Sequence, residues 1–389
     1  MRVCLVGTGV VSVPPERGGG VERVEFNIGA GLAKLGHKPI IIDIKDSKKE
    51  IEGVKFERIW APKIKGLGKL SLVLTELLFA FLAFLRACRL RKDVDVFHVH
   101  TTISGFIFCF FKKFLNKPIV YTSHNPDWTL MASELPPSSK LMLKIESFCI
   151  KRADTVTAVS NFAKKGMGRI RKDVHVIHHF VDPELFSPKY GNEFKRKLRI
   201  RGPMVLFVGK LTPAKGIKHL LMAAKEVIKK EPEAKFVLVG PVSFLEEGKN
   251  PWESLRRDLG LEENVIFTGG ISFKELLKAY SSADIFVLPS LKEAFSGVAL
   301  EAMSFGLPIV ASKVPGILEA VSRENGILVD KGNVKQLSDA ILRLLENEKE
   351  RLRMGEDSRR KILERFTTEH ATKSYLRVYA KLLLITRNP

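Results

Sequence analysis

Pro289-Ser290-Leu291-Lys292-Glu293-Ala294-Phe295-Ser296-Gly297-Val298-Ala299-Leu300-Glu301-Ala302-Met303 follows directly on one apolar run, Ile285–Leu288, and leads to a second, Ile309–Ala311. Short β-branched runs on either side of a helix-period segment read as strand, loop, helix, strand of a parallel sheet. Glu293 then lies in the loop after a strand, and Glu301, eight positions on, lies within the following helix. Carboxylates so spaced can face one ligand and accept hydrogen bonds from vicinal hydroxyls of a ribose or hexose. The backbone N–H groups of Phe295, Ser296, Gly297 and Val298 open the helix, where unpaired donors and the helix dipole favour a phosphate.

The same alternation runs outward from this stretch. Strands are expected at Val205–Val208, Phe236–Val239, Val265–Thr268 and Gly326–Val329, with helix-period segments such as Gly216–Lys230, Phe273–Ser281 and Val334–Glu346 between them. The first half repeats the plan with Arg2–Val6, Pro39–Asp43, Val94–Val99, Ile119–Thr122, Thr155–Val159 and Val174–Ile177. Two such sets predict an α/β chain of two doubly wound, Rossmann-like parallel-sheet domains. The boundary is placed near Phe186–Arg201, where a Pro-containing stretch gives way to a charged segment. Ligands bind outside the carboxyl ends of such strands, so a site in a cleft between the domains is expected.

A chain of 389 residues suits two domains, and 45% hydrophobic with 28% charged residues is globular composition. The formal net charge of +21 is spread over both halves with no basic tail, which suits anionic small molecules, anionic lipid or nucleic acid alike. An aromatic–basic stacking motif and a zinc module are both missing, so no nucleic-acid partner is expected. Cys4, Cys88, Cys109 and Cys149 sit in apolar runs without CxxC spacing and read as buried reduced thiols. The opening MRVCLVGTG lacks the apolar length of a signal peptide, so a cytoplasmic location is expected.

One segment does not suit a soluble surface. Leu70–Leu85 is nearly all apolar, with Glu76 as its single charge. Lys63, Lys65 and Lys69 precede it, and Arg86, Arg89, Arg91 and Lys92 follow. It falls short of the about 20 residues of a membrane span. Two readings stay open: a buried core helix, or an interfacial helix on an anionic membrane with flanking cations at the headgroups. Phe106–Phe114 adds a second aromatic–basic cluster in the same domain.

Glycines and lysines mark two further loops. The first strand leads into Gly7-Thr8-Gly9, and Gly18, Gly19 and Gly20 precede a helix beginning near Val21. Gly7-x-Gly9-x-x-Ser12 lacks the third glycine of the dinucleotide fingerprint. The triple glycine instead lets backbone N–H groups approach an anion at a helix N-terminus. In the second half, Lys210 and Lys215 flank the loop after Val205–Val208 and are placed to reach one diphosphate.

Glu293-x7-Glu301 followed by Ala302–Ser312 resembles the retaining glycosyltransferases of family 4, which have the GT-B fold, and the resemblance covers nearly the whole chain. It extends through Gly19-Gly20-Val21-Glu22-Arg23, Asp95-x-x-His98-x-His100, Thr122-Ser123-His124, Arg152-Ala153-Asp154 with Ala158-Val159-Ser160, Val181-Asp182, and Val208-Gly209-Lys210 with Lys215-Gly216. The resemblance implies a domain at 1–190 facing acceptor and membrane, a nucleotide-sugar-binding domain at 191–365, and a helix at 366–389 crossing back to the first. It implies a UDP- or GDP-sugar donor, no required cofactor and no metal. With Leu70–Leu85 read as an interfacial helix, the acceptor would be lipid-linked or a glycan, at the cytoplasmic face of an anionic membrane. Gly18–Gly20 would approach the donor phosphates or the acceptor, and Lys210 and Lys215 would neutralise the leaving diphosphate. Glu293 would hold donor-sugar hydroxyls, Glu301 the ribose hydroxyls, and His124 would contact the donor sugar near the reacting carbon.

Lys210 stands where that family most often has Arg, turning a bidentate grip into a point charge. His179-Phe180-Val181-Asp182 replaces the commoner Asn-Gly-Val-Asp, and Ser296-Gly297 departs from the frequent Gly-Leu or Ser-Leu. The acceptor loops are expected at Val10–Gly20, Trp60–Lys69 and Asn125–Pro137, with Trp128 and Glu134 as candidates. A soluble disaccharide or polysaccharide synthase using the same donor is the alternative. A nicotinamide-dependent dehydrogenase, suggested by Gly7-x-Gly9, is a distant one.

Overall fold

The side chains of Arg2–Val6 (β1) alternate between two cores, which is the design of the whole first sheet. Cys4 and Val6 join Ile40, Ile42, Phe97 and Val99 in one core, while Val3 and Leu5 join Ile41, Val96 and Val120 in the other. A strand buried on both faces needs apolar residues at successive positions, as here. The computed structural model describes all residues except 16–18, 46–49, 63, 65–68, 130–136, 243–249 and 388–389.

The chain divides into two compact units, Met1–Phe180 with Thr368–Pro389, and Val181–Thr367. The first holds β1, β2 (Lys38–Ile44), β3 (Lys55–Ile59), β4 (Val96–Val99), β5 (Ile119–Ser123), β6 (Thr155–Ala158) and β7 (Val174–Val176). They form a 7-stranded parallel sheet in the order β3-β2-β1-β4-β5-β6-β7. Helices Lys69–Leu90, Thr102–Phe110 and Pro137–Arg152 cover one face. Gly20–Lys34 and Thr368–Arg387 cover the other, burying Val24, Ile28, Leu32, Tyr375 and Tyr379. These two helices approach so closely that a Cβ on Gly31 would lie 2.1 Å from Thr372 Oγ1.

The second unit holds β8 (Met204–Val208), β9 (Lys235–Val239), β10 (Val265–Gly269), β11 (Ile285–Leu288), β12 (Ile309–Ser312) and β13 (Gly326–Val329). They form a 6-stranded parallel sheet in the order β10-β9-β8-β11-β12-β13. Helices Ile217–Ile228 and Val334–Glu346 bury Leu220, Leu221 and Val227, and Leu337, Ile341 and Leu344, at helical spacing. Both units are therefore doubly wound Rossmann-like folds, as the strand–helix alternation predicts.

Strand β3 escaped the sequence reading. Lys55-Phe56-Glu57-Arg58-Ile59 is largely charged because it is an edge strand, bonded among the described strands only to β2. The apolar segment is longer than its sequence span of Leu70–Leu85, since the helix runs Lys69–Leu90. Phe79, Ala80, Ala83, Phe84, Ala87 and Leu90 are buried, whereas a core helix apolar all round would be buried on every side. The other side leaves Leu77, Phe81 and Leu85 at 38%, 46% and 44% exposed. Burial, with Glu22 nearby, pushes the Glu76 carboxyl up to about 7. The helix is long and apolar enough to cross a membrane by length and composition, but one of its faces is packed into the sheet. All four cysteines are free; Cys4, Cys109 and Cys149 are buried and Cys88 is half-buried.

Candidate functional site

In the second unit the strand order reverses between β8 and β11, which are neighbours in the sheet but not in the chain. Loops leaving the carboxyl ends of such a pair diverge and open a crevice. Lys210 and Lys215 come from the loop after β8, and Glu293 from the loop after β11. The two loops are clipped together: Leu291 N–H donates to the Ala214 carbonyl at 2.8 Å. Gly216, at φ 73°, lets them close, because a Cβ there would lie 2.0 Å from the Pro289 carbonyl oxygen. Lys215 Nζ donates to Glu293 Oε1 at 2.5 Å, and Ser290 Oγ donates to the same oxygen at 2.9 Å. Lys210 is exposed, with no ion-pair partner among the described residues. The two lysines thus differ: one is oriented by a carboxylate, and the other stands in solvent.

The helix Gly297–Ser304 begins just beyond. Ser296 Oγ accepts from Ala299 N–H at 3.3 Å as the N-cap, and the buried Phe295 ring packs 5.8 Å from that of Phe366. Those side chains hold the turn. What a ligand can meet are the first backbone N–H groups of Gly297 and Val298, both half-buried. Glu301, one helical stretch on, is 8% exposed and accepts from Tyr280 OH at 2.8 Å. The Tyr280 ring is itself stacked on Phe305 at 5.4 Å, so the carboxylate is held in one orientation.

The first unit has its own reversal, between β1 and β4. Gly9, at φ 78°, passes so close to Phe79 that a Cβ would overlap the ring. Thr8 Oγ1 hydrogen-bonds to Glu22 Oε1 at the start of the helix Gly20–Lys34. Within the triple glycine, Gly18 lies outside the described residues. Gly19 is the left-handed N-cap at φ 78°, while a Cβ on Gly20 would meet nothing within 4 Å. Only Gly19 of the two needs to be glycine. Trp128 packs against the core, and Glu134 lies outside the described residues.

His124 follows β5 and sits in a row of imidazoles that sequence reasoning missed. Its Nε2 is 3.1 Å from His100 Nδ1, and its Nδ1 is 3.0 Å from His179 Nε2. The His98 ring lies 4.0 Å from that of His100 and is bonded to Tyr379 OH and Thr122 Oγ1, each at 2.6 Å. Burial and neighbouring rings depress every member: His98 to about 3, His179 to about 4, His100 and His124 well below the usual range. Depressed in this way, the rings favour the neutral form, so each of the three bonded to one another, His100, His124 and His179, can donate one hydrogen bond and accept another. Both nitrogens of His124 are engaged, and His100 Nε2 is buried with no hydrogen-bond partner among the described residues. Alternation within Asp95-x-x-His98-x-His100 was the signal that could have placed the two histidines together.

The turn bearing His124 is fixed from below by Glu146, which is fully buried. Tyr121 OH and Ser123 Oγ donate to its Oε1 at 2.8 and 2.6 Å, and Asn125 Nδ2 donates to Oε2 at 2.9 Å. Among the described residues no group of three or more His, Cys, Asp or Glu is arranged to hold a metal ion.

Comparison with known proteins covers both units. The family described as Glycosyltransferase Family 4 matches residues 18–185, and that described as Glycosyl transferases group 1 matches residues 192–361. An uncharacterized glycosyltransferase of Methanocaldococcus jannaschii is 27% identical over 94% of this chain and 95% of its own. A D-inositol 3-phosphate glycosyltransferase of Corynebacterium aurimucosum is 28% identical over 87% of this chain and 85% of its own. An N-acetyl-alpha-D-glucosaminyl L-malate synthase of Bacillus anthracis is 26% identical over 77% of each. Among solved structures, sucrose-phosphate synthase from Thermosynechococcus elongatus superimposes with a TM-score of 0.83 at 23% identity, over 99% of this chain and 100% of that one. Anabaena HepE in complex with UDP and glucose gives 0.80 at 19% identity, over 98% and 100%.

Proposed function

Because the chain belongs to glycosyltransferase family 4, we propose that it is a retaining, metal-independent hexosyltransferase. It moves a hexosyl group from a UDP- or GDP-sugar to a lipid-linked or glycan acceptor at the cytoplasmic face of a membrane. The observation that carries this reading is the Lys215–Glu293 pair at the strand-order reversal of the second sheet, with a helix N-terminus and Glu301 beside it. Family membership sets aside the dehydrogenase.

In this scheme the bond between the anomeric carbon and the diphosphate oxygen breaks while the acceptor oxygen bonds to the same face of that carbon. The acceptor proton passes to the leaving phosphate. Charge grows on the diphosphate as the bond breaks, so cations aimed there stabilise the transition state more than the ground state. Lys210, Lys215 and the N–H groups of Gly297 and Val298 are assigned that task. Glu293 takes sugar hydroxyls and Glu301 the ribose. The glycine turn at Gly19 and Gly20 serves phosphates or acceptor. His124, oriented by His100 and His179, is assigned to the face of the sugar near the reacting carbon.

The membrane location draws support from the exposed side of the helix Lys69–Leu90, where Leu77, Phe81 and Leu85 recur at helical spacing, with Arg89, Arg91 and Lys92 following. Relatives named for D-inositol 3-phosphate and L-malate favour a second reading, a soluble synthase with a small acceptor. Incubation with radiolabelled UDP- and GDP-hexoses, with and without vesicles carrying extracted lipids, separates them. Label in the lipid phase, with the donor's anomeric configuration kept by NMR, is expected. Label confined to a water-soluble product favours the synthase, and an inverted product removes the retaining mechanism.

A further inference from the structure

At the opposite end of the strands from His100 and His124, the amino ends of β4, β5 and β6 border a cavity of about 700 Å³. Asp95, Pro118 and Asp154 stand just before those strands, and Lys112, Lys113, Lys117, Lys151 and Arg152 line it with them. Both carboxylates are already engaged. Asp95 accepts from the Arg2 amide at 2.8 Å and its guanidinium at 3.0 Å. Asp154 accepts from Lys112 Nζ at 2.6 Å and Ile119 N–H at 2.8 Å. Lys113, Lys117, Lys151 and Arg152 have no ion-pair partner among the described residues. Cations crowded round one hollow repel one another until an anion joins them.

Cations in the last turn of a helix ordinarily serve its terminal carbonyls. The helix Pro137–Arg152 is served otherwise. Arg171 donates to the carbonyls of Ile150, Ala153 and Asp154 at 3.2, 2.6 and 2.8 Å, and Lys112 Nζ lies 3.5 Å from that of Arg152. The side chains of Lys151 and Arg152 are left to the cavity.

Apolar residues stand next to the cationic ones. Phe110 and Phe114, 56% and 63% exposed, bracket Lys112 and Lys113 in the chain. Leu384 and Ile385, 67% and 60% exposed, fall between the lining residues Leu383 and Thr386. Arg91, just beyond the apolar helix Lys69–Leu90, donates to the Phe114 carbonyl at 2.9 Å and ties that helix to the same rim. A cationic hollow beside exposed aromatic and aliphatic side chains fits an amphiphile with a phosphate head.

We propose that this cavity binds the phosphate headgroup of an anionic phospholipid, at the end of the first sheet opposite His100 and His124. The assignment rests on the membrane reading above and supplies its specific contact. It leaves the donor site in the second unit untouched, so headgroup and nucleotide binding are separable.

The test compares the full-length wild type with K117E/K151E and with a control, K230E/K349E, which makes the same change of charge on exposed second-unit lysines. Each is titrated with phosphatidylcholine vesicles containing or lacking phosphatidylglycerol, with soluble tripolyphosphate, and with nucleotides. Wild type is expected to bind only the anionic vesicles, K117E/K151E to bind them at least about 10-fold more weakly, and the control to change less than about 3-fold. Unchanged nucleotide binding would show the variant folded and the transferase reading unharmed. Equal losses in the two variants overturn the proposal. So does a wild type that binds tripolyphosphate but no vesicles, which would mark a soluble phosphate compound as the ligand.

Discussion

Lys215 Nζ lies 2.5 Å from Glu293 Oε1, joining residues 78 apart in the chain across the loops that follow β8 and β11. The pair gives the site a cation whose position is fixed before any ligand arrives. Preorganised charge of this kind costs no reorganisation during the reaction. Lys215→Met is therefore expected to lower kcat by about 10²- to 10³-fold, the range for losing one transition-state donor. Glu293→Gln keeps the Ser290 contact and should lower transfer while shifting Tm little. Single-turnover assays with parallel melting curves check both, and loss of folding in proportion to loss of rate would reduce the pair to a structural role.

Gly216→Ala tests the same geometry through the backbone. A methyl group would meet the Pro289 carbonyl at 2.0 Å in a left-handed conformation. The expected cost is about 1–3 kcal/mol or more of stability, with Lys215 displaced and transfer weakened. An unchanged Tm by calorimetry contradicts the close approach.

The fold was readable because both sheets are parallel and covered on both faces, so their strands are short apolar runs that stand out from the helices. β3 broke that rule as a charged edge strand. The carboxylates Glu293 and Glu301 were readable because one loop and one helix place them, within fifteen residues of contiguous sequence. The histidine row was not. His100, His124 and His179 follow different strands, and only the sheet order brings them together. Glu25 was equally hidden, a carboxyl in a helix whose burial depends on the packing of its neighbours.

Glu25 is fully buried with neither carboxylate oxygen hydrogen-bonded among the described residues, and burial, with Glu22 and Asp43 nearby, raises its pKa well above the usual range. A group with a raised folded pKa contributes stability that is present below its unfolded value and is lost as pH rises through the folded value. Ionising Glu25 thus weakens the fold at high pH. Glu25→Gln, which cannot ionise, should raise Tm relative to wild type more at pH 9 than at pH 4. The same difference at both pH values would contradict this.

The histidine row acts in the opposite direction. His98 and His179 are depressed to about 3 and about 4 from 6.5. The unfolded chain then binds more protons than the native one, so their contribution is present above pH 6.5 and is lost as pH falls toward 4. His179→Asn should flatten the fall of Tm across that window. Because His124 would lose one of its two partners, kcat should also drop, by about 3- to 10-fold for one neutral hydrogen bond. A variant with wild-type pH dependence would show that His179 does not titrate as the row requires.

In the proposed scheme the second unit binds a nucleotide diphosphate-sugar through Glu301. The decisive experiment is isothermal titration of wild type and Glu301→Ala with UDP, GDP, ADP and their sugar conjugates. One nucleotide is predicted to bind the wild type and to lose about 10- to 100-fold in affinity in the variant, the range for charge-assisted hydrogen bonds. Folded wild-type protein that binds none of them, or a variant that binds equally well, would contradict it.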